Sequence, residues 1–267
     1  MHREFWDGYN FKHGTNPPRE NWRPPPQLPA EETEAAFARF GQYIDHLRAV
    51  SGVHFVMATN LPVLYPDRTH AEAASADNLQ QIVRQALDSS GKGLDFIVHS
   101  GRAYSLADQF ELLTRAVCHQ MNPQEAAKLS RATGLLGPDG APPASLTNAV
   151  IAWPAFRDAT RDVLDYLEVQ HRIPSRVFIG ADAVPPTDFL VGLAYALDFY
   201  WKHGALPVEG GVPLGSNREI LPARHVAQDT PKVFGNWVIH RAGFRAPKIL
   251  EIARLQAWTL KPALPAE

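Results

Sequence analysis

The sequence predicts a mainly α-helical chain with a few short β-strands, arranged as two helix-turn/strand-helix units in a helical array. Three observations carry this reading. Apolar residues recur at spacings of three and four in several segments, helix start and stop residues flank those segments, and one order of elements occurs twice.

The first thirty residues hold Pro17, Pro18, Pro24, Pro25, Pro26 and Pro29 among five large aromatics. Proline neither continues a helix nor ladders inside a sheet, so an extended arm is expected. From Glu31 the pattern becomes helical, with Phe37, Phe40, Ile44, Leu47 and Val50 on one face and Gly52 at its end. Val53 to Ala58 are β-branched or aromatic enough for a short strand, and Pro62 and Pro66 then mark a turn. Leu79, Ile82, Val83, Ala86 and Leu87 make the clearest helical stripe, closed by Ser89, Ser90 and Gly91. A strand is expected over Leu94 to Val98. Ser105 and Asp108 then form the signature of a capping box ahead of Leu106, Phe110, Leu113 and Val117. Asn122, Pro123, Glu125 and Gly134 outline a further helix, and Gly137 to Pro143 reads as a linker.

Beyond the linker the order repeats: a helix carrying Phe156, Ala159, Val163 and Leu167, a strand at Val177 to Ile179, and a helix from Phe189 to Trp201. Leu87 precedes Phe110 by 23 residues and Gly101 precedes it by nine; Leu167 precedes Phe189 by 22 and Gly180 precedes it by nine. A degenerate duplication follows, each copy burying what one alone would expose. Gly210, Gly211, Pro213 and Gly215 point to an exposed loop, Trp237 to His240 to a strand, and Lys248 to Trp258 to a last helix. The expected organisation is residues 1–66 as arm, helix and strand, 67–145 as the first helical unit, and 146–267 as the second unit with the C-terminal helix.

Composition excludes several classes. Of 267 residues, 45% are apolar and 20% charged, which suits a folded protein and not a disordered one. With 26 basic against 28 acidic residues, no electrostatic footprint for nucleic acid or an anionic membrane exists. Cys118 stands alone, so no intrachain disulfide forms. The opening His2, Arg3, Glu4, Phe5 and Trp6 lack the apolar run of a signal peptide, which makes a cytoplasmic location the default. Phe189 to Trp201, broken by Asp198, falls short of the roughly 20 residues a bilayer span needs.

Catalytic motifs are not legible. No two histidines stand three or four apart, so the spacing that grips zinc on one helical turn is missing, and His2, Asp7 and His13 sit on a poorly supported arm. Ser100 before Gly101 lacks the first glycine of a nucleophile elbow. Cys118 flanks an apolar stripe and reads as a buried thiol. Gly210, Gly211 and Gly215 lack the Lys-Ser or Lys-Thr of a phosphate loop, and Asp158, Asp162 and Asp165 beside Arg157 and Arg161 read as a solvated face. No metal and no cofactor is therefore expected. What remains is aromatic surface: Trp6, Tyr9, Phe11 and Trp22 are the candidate binding residues, suited to a sugar or a partner domain, the alternative being that they staple the arm to the chain's own core.

The run from Phe40 to Asp67, with Gly-Val-His-Phe-Val-Met-Ala-Thr-Asn-Leu-Pro at 52–62, resembles the tail of NodB-homology polysaccharide deacetylases, where a last helix leads into a closing strand. Arg172-Ile-Pro-Ser-Arg-Val-Phe-Ile-Gly180 with Asp188-Phe-Leu190 is similar to the pseudomurein-binding repeat, His203-Gly-Ala-Leu-Pro207 echoes its turn, and Leu255-Gln-Ala-Trp-Thr-Leu-Lys-Pro262 resembles the end of deacetylase-related chains. The Asp-Asp pair and His-x-x-x-His pair by which that deacetylase family holds its metal do not occur. The resemblance thus implies a catalytic barrel ahead of Met1 and no catalytic residue here. The expected function is a non-catalytic accessory or binding module in polysaccharide deacetylase-type, cell-envelope carbohydrate metabolism, with a glycan or a catalytic domain as partner. Its rivals are a hydrolase with a dispersed His/Asp site and a structural subunit that completes a partner's fold.

Overall fold

A computed structural model describes residues 6–24, 28–66, 74–89, 93–122, 134–146, 149–216, 219–226 and 247–265. The chain is mainly helical with a few short antiparallel strands. It divides into two compact units, residues 1–61 with 228–247 and residues 62–227 with 248–267.

In the first unit the proline-rich segment is not simply extended. It carries helix α1 (Gly8–Lys12) and a turn of 3-10 helix at Arg19–Asn21, joined where Tyr9 N donates to Arg23 O at 3.4 Å. Helix α2 (Ala30–Ala49) follows Pro29 and holds the predicted stripe, yet it buries no residue. The strand expected over Val53 to Ala58 does not form; an irregular stretch leads into a 3-10 turn at Ala58–Asn60. β-branched residues favour a strand only where a neighbouring strand takes up their backbone groups, and none among the described residues does so.

Helix α3 (Leu61–Leu64) leads into the second unit, which holds the duplication. Helix α4 (Ala76–Asp88) starts where Ser75 Oγ accepts from Asn78 N at 3.2 Å, and it buries Leu79, Ile82, Val83 and Ala86 as the stripe predicts. Strands β1 (Ile97–His99) and β2 (Arg102–Tyr104) form a hairpin, turned by Ser100 and Gly101 with φ of 49° and 69°. Two consecutive positive φ values match the right-handed twist of the strands and favour glycine at the second position. Helix α5 (Leu106–Met121) begins at the predicted capping box: Asp108 N donates to Ser105 Oγ at 3.1 Å and Ser105 N to Asp108 Oδ2 at 2.8 Å. The helix expected from Asn122 to Gly134, except for those two residues, and the strand expected over Trp237 to His240 lie outside the described residues.

After strand β3 (Val150–Ile151), helix α6 (Trp153–Gln170), hairpin β4 (Val177–Ile179) with β5 (Asp182–Val184) and helix α7 (Pro186–His203) repeat the series. The hairpin register is the same in both copies. Ile97–Tyr104, Val98–Ala103 and His99–Arg102 recur as Val177–Val184, Phe178–Ala183 and Ile179–Asp182, a constant offset of 80 residues. At that offset Val83 meets Val163, Leu87 meets Leu167 and Asp108 meets Asp188. The sequence alignment on Phe110 and Phe189 is one residue out: the backbone equivalent of Phe189 is Gln109. The two phenylalanines instead meet each other, ring centroids 6.2 Å apart, both fully buried.

Of the glycines at 210–215 only Gly210 lies in the expected exposed turn. Gly211, Val212 and Gly215 are buried, and strand β6 (Val212–Pro213) pairs with β3. A 3-10 turn at Leu221–His225, helix α8 (Pro247–Gln256) and a 3-10 turn at Ala257–Thr259 complete the described chain. Trp258 is buried edge-on against Phe110, with centroids 6.0 Å apart. Both copies contribute to one hydrophobic core.

Candidate binding surfaces

The proline-rich segment folds around a carboxylate. Asp7 is fully buried, and its Oδ1 accepts from Asn10 Nδ2 at 2.6 Å and from Arg23 N at 2.9 Å. Asn10 also donates to Asn21 O at 3.1 Å, while Trp22 Nε1 donates to Pro17 O at 3.3 Å. These bonds, between residues 11 and 16 apart in two cases, bring Tyr9 and Trp22 to one shallow groove of about 410 Å³ that Asn10, Pro17, Glu20, Asn21 and Arg23 also line. Arg23 lies 5.7 Å from the Tyr9 ring and Arg19 5.9 Å from the Trp22 ring. Tyr9 is half exposed and its ring sits 4.3 Å from that of His13. Of the four predicted aromatics, Tyr9 and Trp22 meet, Trp6 is exposed but does not line the groove, and the Phe11 side chain lies outside the described residues. Flat rings beside amide, carboxylate and guanidinium groups form the combination that a sugar needs, apolar C–H faces against rings and hydroxyls against planar polar groups.

A larger apolar surface lies further along the same unit. Phe37 and Phe40 on α2 are 69% and 63% exposed, Tyr43 and Val50 are exposed beside them, and Val53, Phe55, Val56, Met57 and Leu61 follow in the irregular stretch. Ile44 and Leu47, on the predicted stripe, are only half-buried. So many exposed large apolar side chains in one stretch are uncommon on a monomer and make this a candidate interaction surface.

In the second unit a cavity of about 300 Å³ is lined by Tyr166, Phe178, Asp162, Asp139 and Ser175, among others. Ser175 Oγ donates to Asp139 Oδ1 at 2.6 Å and accepts from Gly140 N at 3.0 Å. Arg172 Nη1 approaches Asp139 Oδ2 at 3.0 Å. The Ser175 hydrogen bond, helped by Arg172, holds the Asp139 carboxyl below its ordinary value, and burial followed by the Asp139 charge pushes the Tyr166 phenol up. No histidine is among the residues lining the cavity, and the Ser175 hydroxyl, bonded to Asp139 and Gly140, ties the 134–146 segment to the start of the second hairpin.

Other ionisable residues singled out by the sequence sit in local pairs and turns. His99 Nε2 lies 2.6 Å from Asp77 Oδ2, which joins the first hairpin to the start of α4, and Ser100 sits in the turn with its left-handed φ. Arg157 and Arg161 pair with Asp158 at 2.8 and 4.0 Å on an exposed helix face. Cys118 is half-buried with Sγ 3.9 Å from Thr160 O, and desolvation pushes its thiol up to about 11. Among the described residues no three His, Cys, Asp or Glu side chains are grouped to hold a metal, and no helix is long and apolar enough to cross a membrane. No family model, no curated protein and no solved structure matches the chain.

Proposed function

We propose that this chain is a non-catalytic accessory module of polysaccharide deacetylase-type, cell-envelope carbohydrate metabolism, and that it seats against a catalytic domain through residues 37–61. One coincidence carries the reading. The run that resembles the last helix and closing strand of such a domain, Phe40 to Asp67, overlaps the segment whose apolar side chains the fold leaves uncovered. A closing strand without its sheet has no partner for its backbone, which accounts for Val53 to Ala58 remaining irregular. Burying Phe37, Phe40, Tyr43, Val50, Val53, Phe55, Val56, Met57 and Leu61 contributes about 1.5–3 kcal/mol per side chain at full burial. Because these side chains are already about half-buried, the nine together add roughly 7–14 kcal/mol, the same order as the roughly 4–15 kcal/mol that association costs in lost freedom.

Co-expression with a polysaccharide deacetylase catalytic domain tests this. A stoichiometric complex should survive gel filtration, and the triple variant F37S/F40S/M57S should elute apart from the domain while unfolding at the wild-type temperature. Separate elution of the wild-type chain would overturn the reading.

A second reading, glycan binding, is favoured by the groove that brings Tyr9 and Trp22 together. Calorimetry with N-acetylglucosamine oligomers and with acidic wall polymer should show saturable heat that Tyr9→Ala and Trp22→Ala each reduce at least tenfold. An absence of heat with every glycan would remove this reading and leave the first intact.

A further inference from the structure

We propose that the second unit binds a single-chain amphipathic carboxylate in an apolar cleft of about 500 Å³ formed by the 134–146 segment, the start of α7, the Leu221–His225 turn and the end of α8. This site shares no lining residue with the surfaces described above, and it does not depend on the proposed function. Its size falls in the range that encloses most of a small organic ligand, roughly 300–1,000 Å³.

The walls are fixed in advance. Pro138, Pro142 and Pro186 line the cleft with backbone whose φ is locked by the ring. Gln256 clamps the 134–146 segment from two sides, its Oε1 accepting from Gly137 N at 2.8 Å and its Nε2 donating to Pro138 O at 3.3 Å. The approach is so close that a Cβ on Gly137 would stand 2.2 Å from Leu255 O. On the opposite side, Leu94 N donates to Glu219 O at 2.7 Å and Leu221 N to Leu94 O at 2.8 Å, which ties the wall bearing Leu221 to the strand segment of the first copy. Leu221, Leu255 and Trp258 supply apolar lining between these clamps. A pre-set site spends little of its binding energy on ordering.

Charge then selects the head group. Two guanidiniums line the cleft, Arg224 and Arg254, against one carboxylate, Glu219. Arg224 is positioned by Asp95, Nη2 to Oδ2 at 3.0 Å, and Asp95 Oδ1 is held in turn by Phe96 N at 2.9 Å. Arg254, on α8, makes no ion pair or hydrogen bond with any described residue, Glu219 included. An apolar cleft with one positioned and one uncommitted guanidinium is complementary to an alkyl chain ending in a carboxylate, which a planar guanidinium engages through two parallel N–H···O bonds.

The test is calorimetry of the full chain with dodecanoate and, separately, with dodecanol, each kept below the concentration at which it self-associates. Dodecanoate should bind once per chain at micromolar Kd, and dodecanol at least tenfold more weakly. Arg254→Gln should reduce dodecanoate affinity about tenfold, bring acid and alcohol level, and leave the unfolding temperature unchanged. Because the exposed face of α2 offers alkyl chains a second place to adsorb, the measurement is repeated in the F37S/F40S background, where the single saturable site should persist. No saturable heat with dodecanoate, equal affinity for acid and alcohol in the wild type, an unchanged affinity in Arg254→Gln, or loss of the site in F37S/F40S would each overturn the proposal.

Discussion

Replacing Phe189 with Ala should remove the join between the two copies. Its ring is fully buried, 4.8 Å from that of Phe156 on α6 and 6.2 Å from that of Phe110 on α5, and the series continues through Trp153 at 6.1 Å from Phe156 and Trp258 at 6.0 Å from Phe110. Five rings from three helices and the C-terminal 3-10 turn therefore touch in sequence, with Phe189 in the middle. Truncating a buried phenylalanine costs about 3–5 kcal/mol, from lost transfer energy and the cavity left behind. In a unit of this size each kcal/mol lowers the midpoint by about 2–4 °C, so Phe189→Ala should melt about 6–20 °C early. Urea titration and calorimetry of F110A, F189A and the double variant would measure it. Side chains in contact couple by about 0.5–3 kcal/mol, so the double variant should lose less than the two singles together. A loss under about 1 kcal/mol for F189A, or strict additivity with F110A, would refute the account of how the copies are joined.

Gly192, inside α7, should resist the substitution that helix propensity favours. A Cβ there would stand 2.9 Å from Phe156 Cε2 and 3.0 Å from Leu214 Cδ2, so Gly192→Ala should destabilise by about 1–3 kcal/mol in denaturant melts instead of gaining the usual ~1 kcal/mol. The Cys118 thiol, raised from 9.0 to about 11 by burial, keeps its proton in the fold at pH values where the unfolded chain loses it. Stability should consequently fall as pH rises from about 9 to about 11, the fall should vanish in Cys118→Ala, and native-state disulfide exchange at pH 8 should be slow; rapid labelling would contradict the burial. The Asp139 carboxyl is shifted the other way, so its contribution is present above the ordinary 3.8 and is lost as pH falls through its depressed folded value. Ser175→Ala should move its carbon-detected NMR titration back up, and an unmoved titration would dismiss the Ser175 hydrogen bond as the cause.

Periodicity was informative where the fold covers the stripe it marks. Leu79, Ile82, Val83 and Ala86 announce α4, and Ser105 with Asp108 announces the start of α5, because those local interactions survive unchanged in the folded chain. Phe37, Phe40, Ile44, Leu47 and Val50 have the same spacing, yet α2 buries none of them: a stripe reports that a face needs cover without reporting what covers it. Val53 to Ala58 fails as a strand for a related reason, since pairing is a property of two segments and only one is written there. Gly211 and Gly215 misled by composition, while Gly210 is exposed as expected. Gly211 belongs to a tight pairing, its absent Cβ having only 2.9 Å to Ile151 O, and not to an exposed tip. At the groove, Tyr9 and Trp22 were legible by residue type, whereas the Asp7, Asn10 and Arg23 bonds that bring them together join unremarkable polar residues and leave no pattern to find.

The duplication carries a final consequence for folding. Within the second unit, α5 and α7 are buried on nearly every side, as helices at the centre of a core must be, while α4 and α6 show one apolar face each. The partners are crossed: α4 packs far more extensively on α7 than on α5, and α6 packs on α5. Each copy thus lends its first helix to the second helix of the other, unlike a solenoid, where each repeat is closed within itself and leans on its neighbours. A chain cut within the 134–146 segment should give two pieces, 1–140 and 141–267, neither of which retains a cooperative melt of the helical core. Co-expression should restore one transition, with both pieces in a single gel-filtration peak. A cooperative melt of α4 with α5, or of α6 with α7, in an isolated piece would mean that each copy closes on itself, and that the crossed packing follows folding and does not cause it.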